Sequence, residues 1–195
     1  MEEKILEILK KSESLLEGHF LLSSGLHSDK YLQCARVFQY PDYSEELCKL
    51  LREKIFSSGI KVDKVISPAI GGILIGYELS RQLSVPNIFA ERDDSGKMTI
   101  RRGFSIKKGE NILVVEDVVT TGGSVNEVIN LVENAKGKVV GISAIANRGK
   151  EENPFEYPFV YLIRLNFKTY SPDSCPLCKK GIPIEKPGSK KKLNG

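Results

Sequence analysis

The sequence lacks the features of membrane, secreted and disulfide-stapled proteins. No apolar run approaches the roughly 18 residues of a membrane span, and the start, MEEKILEILKKSE, has neither a basic leading segment nor an apolar signal core. Four cysteines, Cys34, Cys48, Cys175 and Cys178, are too few and too scattered for a disulfide framework. We therefore expect a cytoplasmic protein that does not contact membranes.

A large excess of one charge is also missing. The formal net charge is +4, from 29 basic and 25 acidic residues that are interspersed along the chain, and this does not by itself indicate nucleic acid. Much of the excess lies near the carboxyl terminus among prolines and glycines. This is typical of a solvated end, with an RNA-contacting surface as the alternative. The lysines concerned are Lys179, Lys180, Lys186, Lys190, Lys191 and Lys192.

One cysteine pair has the spacing of metal ligands. Cys175-Pro-Leu-Cys178 is a C-x-x-C motif, but structural zinc takes four ligands, and no second pair of cysteines or histidines follows it nearby in the sequence. The sequence therefore favours two cysteines that do not bind metal, with metal binding as the alternative.

Hydrophobic periodicity predicts the elements of the first third of the chain. Apolar positions within residues 2–16 indicate one or two short helices that end at Gly18. Residues 19–37 carry turn-forming residues at Ser23-Ser24-Gly25 and again at 27–29, and we predict strands around a tight turn, which we call the hood. Pro41 then begins a helix that runs to about Ser58.

After residue 60, short apolar runs alternate with helical stretches. Strands in this arrangement indicate a parallel sheet covered by helices on both faces. We predict an α/β fold with a doubly wound, mostly parallel sheet of about five strands and a small amino-terminal hood. The predicted strands lie at 65–66, 88–90, 112–115, 139–146 and 159–163, and the predicted helices at 72–84 and 124–135.

The chain divides into three predicted parts: a helix and hood at residues 1–40, an α/β core at 41–168 and a tail at 169–195. Residues 92–103 contain little that could be buried and are expected to form a mobile loop. A (β/α)₈ barrel of roughly 250 residues does not fit beside this core. Any fused activity of that kind is therefore expected on another chain.

The strongest functional signal is the segment 112–124, ILVVEDVVTTGGS. Small residues after a strand let backbone N–H groups approach an anion, and the start of the following helix adds partial positive charge. Glu116 and Asp117 stand at the carboxyl end of the strand, where open α/β sheets bind ligands, and could accept hydrogen bonds from two ribose hydroxyls. An ordinary capped turn would explain the glycines, but not two adjacent carboxylates whose desolvation is costly.

Other phosphate motifs fit less well. The chain has no GxxxxGK[ST], and Gly71-Gly72 with Gly76 does not match GxGxxG. The segment 67–72, SPAIGG, also follows a strand and precedes a helix. It predicts a second anion cradle, although a plain tight turn explains it equally well.

The segment 112–124 resembles the binding motif for phosphoribosyl pyrophosphate (PRPP) in the type I phosphoribosyltransferase family. The resemblance implies that Glu116 and Asp117 hold the ribose hydroxyls. It implies that segment 67–72 is the pyrophosphate loop, with contacts from Ala69, Ile70 and Gly71, although orotate enzymes often carry a lysine at the position of Gly71. The expected 5′-phosphate contacts are Val118, Val119, Thr120, Thr121, Gly122, Gly123 and Ser124.

The hood resembles the orotate-specific members of that family. Residues 18–33, GHFLLSSGLHSDKYLQ, are similar to their pattern G-x-F, then S-G, then S-x-x-Y/F. This implies that Tyr31 covers the base, that Leu32 replaces a second aromatic residue, and that Thr120 contacts orotate. Arg148 is implied to grip the orotate carboxylate through two parallel hydrogen bonds. In the alternative interpretation, Tyr31 fills a small core and Arg148 is an ordinary surface arginine.

Family members close a loop with a catalytic lysine, and often a histidine, over PRPP, usually in the neighbouring subunit's site. Here Lys97, Arg101 and Arg102 are the candidate cations, and Arg92 could replace the missing lysine contact to pyrophosphate. Lys97 and Asp117 are the expected catalytic residues. The loop holds no histidine, so proton transfer from it is not expected. For each cation, solvated surface charge is the alternative.

The resemblance implies a transferase that makes orotidine 5′-monophosphate from orotate and PRPP in pyrimidine biosynthesis, as a homodimer with shared active sites. It implies Mg²⁺ carried by PRPP, without direct protein ligands. A purine or uracil phosphoribosyltransferase is the nearest alternative, although adenine and hypoxanthine enzymes lack the hood. A PRPP-sensing regulator that binds nucleic acid through the basic tail is a second alternative, and nucleic acid is not the expected partner.

Overall fold

The computed structural model describes residues 1–22 and 24–187. Ser23 of the predicted turn, and residues 188–195 with the lysines at 190–192, lie outside the described residues. The helices are α1 (Glu2–Lys11), α2 (Pro41–Ser57), α3 (Gly71–Leu83), α4 (Gly123–Asn134) and α5 (Pro176–Lys179). The strands are β1 (Leu15–Leu21), β2 (His27–Leu32), β3 (Lys64–Pro68), β4 (Asn87–Arg92), β5 (Met98–Ile100), β6 (Asn111–Val119), β7 (Lys138–Asn147), β8 (Phe159–Arg164) and β9 (Thr169–Tyr170).

The larger sheet has six strands in the order β5-β4-β3-β6-β7-β8. All five predicted strands are present and run parallel, so the predicted doubly wound sheet is confirmed. From β3 the chain first adds β4 on one side and then β6 on the other. Such a reversal opens a crevice at the carboxyl ends of the two central strands, which is where sheets of this type bind ligands.

The core lies on both faces of this sheet. In β6, Leu113 and Val115 pack with residues of α1, α2 and α3, whereas Ile112 and Val114 pack with residues of α4. Alternate residues of a strand point to opposite faces, and an interior strand covered on both faces is therefore apolar throughout. Within the described residues, none of the helices is long and apolar enough to cross a membrane.

The amino-terminal elements differ from the prediction at two points. Helix α1 ends at Lys11, and Leu15 and Leu16, predicted as helical, belong to β1 together with Gly18. The chain turns at Glu13, whose φ is 51°, and this turn ends the helical pattern early. The predicted turn at residues 27–29 is part of β2.

The hood is the antiparallel sheet β1-β2-β9. Its hairpin confirms the predicted strands around a turn, but Cys34–Gln39 form a short 3-10 helix. Strand β9 joins β2 by pairing Tyr170 with His27 and Thr169 with Ser28. The segment after β8 is thereby held against the amino-terminal hairpin.

The predicted loop at 92–103 contains a sixth strand. Strand β5 pairs antiparallel with β4, with Met98 opposite Arg92, and the Asp93 carboxylate closes the turn by accepting hydrogen bonds from Ser95 and Lys97. Met98 is buried against the α4 side of the sheet. The segment, predicted to contain little that could be buried, thus buries Met98 in a strand.

Candidate active site

The crevice at the carboxyl ends of β3 and β6 brings the two predicted anion cradles together. A β-carbon on Gly71 would lie 3.2 Å from Asp117 Oδ1, and one on Gly72 would lie 3.2 Å from Glu116 Oε1. A β-carbon on Gly72 would also approach Ser67 Cβ to 2.9 Å, which is too close for a side chain. The glycines thus let the start of α3 pack directly against the carboxylate pair.

Glu116 and Asp117 are half-buried, and neither forms an ion pair within the described residues. Burial raises the pKa of Glu116, and the negative charge of Asp117 raises it further. Burial also raises the pKa of Asp117, although the Val118 N–H donates a hydrogen bond of 2.8 Å to its Oδ1. Such a pair gains stability from ligand hydroxyls or positive charge.

The turn after β6 forms a small anion cradle. A cavity of about 80 Å³ is lined by Glu116 and by residues 118–125. Gly122, with φ of 76°, precedes α4 and provides no side-chain cap, so the first N–H groups of the helix stay available to an anion. A β-carbon on Gly122 would lie 2.7 Å from the Phe155 ring. Glycine is therefore required here by both backbone conformation and space.

The turn after β3 has the same chemistry. Helix α3 begins at Gly71, and Ile70 before it makes no side-chain capping bond. The Ala69 N–H donates to the Ala90 carbonyl at 2.7 Å, so the donors that remain for an anion are those at the helix start. Gly71 has no side chain to contact an anion, and a β-carbon at this position would lie 3.2–3.4 Å from the Asp117 carboxylate.

Arg148 follows β7, next to the turn after β6, and its side chain forms no ion pair within the described residues. Its backbone N–H donates to the Val119 carbonyl at 2.8 Å. Its guanidinium carbon lies 4.7 Å from the centre of the Phe167 ring. The buried Nε has no hydrogen-bond partner in the part of the chain that the structure describes, and burial lowers the pKa of the guanidinium. A half-buried, unpaired cation of this kind is a receptor for an anion.

The hood carries Tyr31, whose phenol acts on the pKa of this arginine and opposes the lowering caused by burial. The ring centre of Tyr31 lies 5.8 Å from that of Phe20. Leu32 points the other way, into the core. The alignment of Leu32 with a base-covering aromatic residue therefore does not place it at the base. Phe167, which no sequence motif indicated, provides an aromatic face instead.

The four loop cations differ in their partners. Arg92 donates two hydrogen bonds, each of 2.9 Å, to the two carboxylate oxygens of Glu127, and Arg102 binds Glu91 in the same way. The exposed side chains of Lys97 and Arg101 make no hydrogen bond or ion pair within the described residues. Exposed ion pairs contribute only about 0–1 kcal/mol, so Arg92 could exchange Glu127 for a phosphate.

A larger cavity lies at the other end of the sheet. Its volume is about 480 Å³, but it offers one ammonium group and no carboxylate or hydroxyl side chain. It does not match the chemistry of a sugar phosphate. The lining residues are Phe56, Gly59, Ile60, Lys61, Val62 and Leu83.

Comparison with known proteins shows close relatives of the whole chain. Residues 38–171 match the family described as "Phosphoribosyl transferase domain". The orotate phosphoribosyltransferase of Caldanaerobacter subterraneus subsp. tengcongensis is 55% identical over 190 residues, which are 97% of this chain and 98% of that protein.

Solved structures share the fold. The crystal structure of orotate phosphoribosyltransferase from Aeropyrum pernix is 25% identical, with a TM-score of 0.72 over 83% of this chain and 93% of that one. UMP synthase of Leishmania donovani has a TM-score of 0.70 at 23% identity, over 83% of this chain and 36% of that longer one.

Proposed function

The chain belongs to the phosphoribosyltransferase family, among its orotate phosphoribosyltransferases, and we propose that it transfers ribose 5-phosphate from PRPP to orotate. One observation carries the proposal. Glu116 and Asp117, whose pKa values are raised by burial, lie at the end of β6. The neighbouring strand β7 is followed by Arg148, whose buried Nε has no hydrogen-bond partner within the described residues. The ribose has hydroxyl groups that can donate hydrogen bonds to the two carboxylates, and orotate has a carboxylate that can bind the guanidinium.

In this proposal the binding residues divide the substrates between them. Glu116 and Asp117 accept hydrogen bonds from the ribose hydroxyls, and the turn from Thr120 to Ser124 binds the 5′-phosphate. Arg148 donates two parallel hydrogen bonds to the orotate carboxylate, with Tyr31 beside the base. Thr120 is exposed at the start of the turn and is proposed to contact orotate.

The reaction separates charge, and the site is arranged for that. As the bond from ribose C1 to pyrophosphate loosens, positive charge develops on the ribose and negative charge on the departing oxygens. The Asp117 carboxylate stabilises the first. Lys97, Arg101 and the N–H groups at the start of α3 stabilise the second. A loop that covers the site also excludes water, which would otherwise hydrolyse PRPP.

We also propose that Mg²⁺ takes part, bound chiefly by the phosphates of PRPP. Within the described residues no third metal-binding side chain joins Glu116 and Asp117. Magnesium commonly keeps several waters and binds one or two carboxylates together with substrate phosphates. The donor set fits this arrangement, in which the ion neutralises charge on the leaving group.

Chelation is expected to abolish turnover. With excess EDTA the rate of orotate consumption should fall below detection, and Mg²⁺ added beyond the chelator should restore it. Restoration with Mg²⁺ alone, in a buffer freed of zinc, assigns the effect to magnesium. Undiminished turnover in EDTA would contradict the proposed cofactor.

We propose that the enzyme is a homodimer. Ile70, Leu74 and Tyr77 are 86%, 52% and 63% exposed, and their spacing puts them on one face at the start of α3. This apolar stripe continues from the pyrophosphate loop. A second copy that covers it would bury the stripe and bring its own residues near the site.

We further propose a cytosolic location. None of the four cysteines forms a disulfide, as suits a reducing compartment.

Arg148→Ala is expected to weaken orotate binding selectively. A hydrogen-bonded charge contributes about 1.5–3 kcal/mol, so KM for orotate should rise about 10- to 100-fold while KM for PRPP changes little. Arg148→Lys keeps the positive charge but cannot donate two parallel hydrogen bonds. Its KM for orotate should lie between those of the wild type and of Arg148→Ala. Equal weakening of both substrates would count against this role.

A base panel tests the function itself. With PRPP and Mg²⁺, orotate should be consumed far faster than uracil, adenine or hypoxanthine, because only orotate among them has the carboxylate that Arg148 needs. Uracil, which is orotate without that group, is the matched control. Equal rates with uracil would favour another base-specific transferase, and PRPP binding without any turnover would favour a regulator.

A further inference from the structure

Four potential metal ligands meet where the tail packs on the hood. His19 Nε2, His27 Nδ1, Cys175 Sγ and Cys178 Sγ lie within 4.8 Å of one another. Both imidazoles and Cys175 are buried, whereas Cys178 reaches the surface. The C-x-x-C motif has no second pair of ligands nearby in the sequence, but the fold brings one to it. The second pair comes from the hairpin, which precedes Cys175 by well over a hundred residues.

Backbone hydrogen bonds hold the two segments together. His27 of β2 pairs with Tyr170 of β9, which places the following tail beside the hairpin. Further along, the Glu185 N–H donates to the His19 carbonyl, and the Leu21 N–H donates to the Glu185 carbonyl, at 2.8 Å each. The predicted solvated end is thus held on the hood up to Glu185, although Lys179 and the other described tail lysines are exposed.

Hydrogen bonding alone does not account for the cluster. His19 Nδ1 lies 2.8 Å from the Ile182 carbonyl oxygen, which can only accept, so Nδ1 carries the proton and Nε2 has one lone pair. Three groups approach that lone pair: His27 Nδ1 at 2.9 Å, Cys175 Sγ at 3.6 Å and Cys178 Sγ at 3.7 Å. One lone pair cannot accept from all three, but a cation between the four atoms would bind each of them.

The distances from His19 to the two sulfurs are those of a tetrahedral zinc site. Zinc lies about 2.0–2.1 Å from nitrogen and 2.3 Å from sulfur, so ligand atoms at tetrahedral corners are about 3.6 Å apart for a nitrogen and a sulfur. The two distances from His19 to sulfur, 3.6 Å and 3.7 Å, match this value. The distances from His27 Nδ1 are shorter, at 3.3 Å to Cys178 Sγ and 2.9 Å to His19 Nε2, so this imidazole has to move outward to share the ion.

We propose that His19, His27, Cys175 and Cys178 bind one zinc ion that fixes the carboxy-terminal tail to the hood. Two cysteines and two histidines are a common ligand set of structural zinc. All four positions belong to the protein, which leaves none for a substrate. The Ile182 carbonyl holds the His19 ring in the required tautomer, as outer partners of zinc ligands do.

The proposed ion would also support the base site. Phe20, next to His19, packs against Tyr31, the residue proposed to lie beside the base. Zinc binding does not depend on the proposed activity, so the two can fail separately.

Metal content tests the site directly. Protein purified without an affinity tag, in reducing buffer, should hold about one zinc per chain by mass spectrometry of the metal, as one set of four ligands requires. The double variant Cys175→Ser/Cys178→Ser should lose at least nine-tenths of it. Cys48→Ala, which removes a buried cysteine of the core, should retain it. Wild-type protein that stays free of zinc after reduction and incubation with zinc would overturn the proposal.

Two measurements on the wild-type chain do not depend on the folding of variants. Cobalt introduced in place of zinc should give the intense visible absorption of a tetrahedral site and a thiolate-to-cobalt band, and a weak six-coordinate spectrum would overturn the ligand set. Chelation of zinc should accelerate tryptic cleavage after Lys179 about tenfold or more, because the bound ion stabilises the docked tail by mass action. Unchanged cleavage of the zinc-free protein would overturn the role as a clasp.

Discussion

Asp117→Asn is expected to lower kcat by about 10²–10³-fold, the usual effect of removing one preorganised electrostatic contact to a transition state. The substitution removes negative charge from beside the ribose while leaving an oxygen in the same place. KM for PRPP should change less than kcat, because the charge on the ribose develops only as the bond to pyrophosphate breaks. Initial rates over a range of PRPP concentrations separate the two effects.

The same substitution is expected to leave the protein at least as stable. The side-chain carbonyl oxygen of the introduced asparagine can still accept the hydrogen bond that Val118 donates at 2.8 Å to Asp117 Oδ1. The buried negative charge, however, is gone. Because burial raises the pKa of Asp117 in the folded chain, the ionised carboxylate favours unfolding. The loss of folding stability caused by this charge is absent below about pH 3.9, the pKa of an aspartate in the unfolded chain. It grows as the pH rises from there through the higher pKa that Asp117 has in the folded chain.

Thermal unfolding tests whether the substitution stabilises the folded chain as the pH rises. The Tm of Asp117→Asn relative to wild type should be higher at pH 8 than at pH 4, and at pH 8 it should not lie below the wild-type value. Asp63→Asn is the matched control, since Asp63 also accepts a backbone hydrogen bond, from Asn111, but is exposed at the opposite end of β3. Its kcat should be unchanged. Nearly normal turnover by a folded Asp117→Asn protein would refute the assigned role.

The sheet could be predicted because its strands are buried on both faces. Runs such as Ile112 to Val115 are apolar at every position, and helices separate them, so a parallel sheet follows from the order of the runs. Strands β5 and β9 were missed because three and two residues are too few to carry a periodicity. β5 forms only because it pairs with the free edge of β4, and β9 only because it pairs with the free edge of β2.

The site could be predicted where its residues are contiguous. Glu116 to Ser124 form one strand, one turn and one helix start, so their chemistry is visible in the order of the residues. Contacts between distant segments were not visible. Nothing in the sequence indicates that Phe167 lies against Arg148, or that Cys175 approaches His19 across 156 positions. The first contact depends on how the segment after β8 folds back on β7, and the second on how the tail returns to the hood.

The partners of the loop cations also became visible only in three dimensions. Arg92 and Arg102 are neutralised by Glu127 and Glu91, one on α4 and one on β4. Lys97 and Arg101 are not paired in this way within the described residues. These two are the cations that can serve a neighbouring molecule without first breaking an ion pair.

Mixing two inactive variants is expected to restore activity if the loop serves the partner's site. A Lys97→Ala chain keeps a sound ribose site and contributes a defective loop, whereas an Asp117→Asn chain does the reverse. A mixed dimer then holds one site with the first chain's core and the second chain's loop, both intact. Complete random exchange should return about a quarter of wild-type activity, because half of the dimers are mixed and each has one working site of two.

A second mixture serves as the control. Glu116→Gln and Asp117→Asn both damage the core, so every site in their mixed dimer is defective whichever loop serves it, and no activity should return. If each loop serves its own subunit, the Lys97→Ala and Asp117→Asn mixture should also stay inactive despite exchange verified by mass spectrometry of the dimers. That result would refute the shared site. A Lys97→Ala enzyme with normal kcat would instead remove Lys97 from the mechanism and leave Arg101, the other unpaired cation of the described loop, as the residue that faces the pyrophosphate.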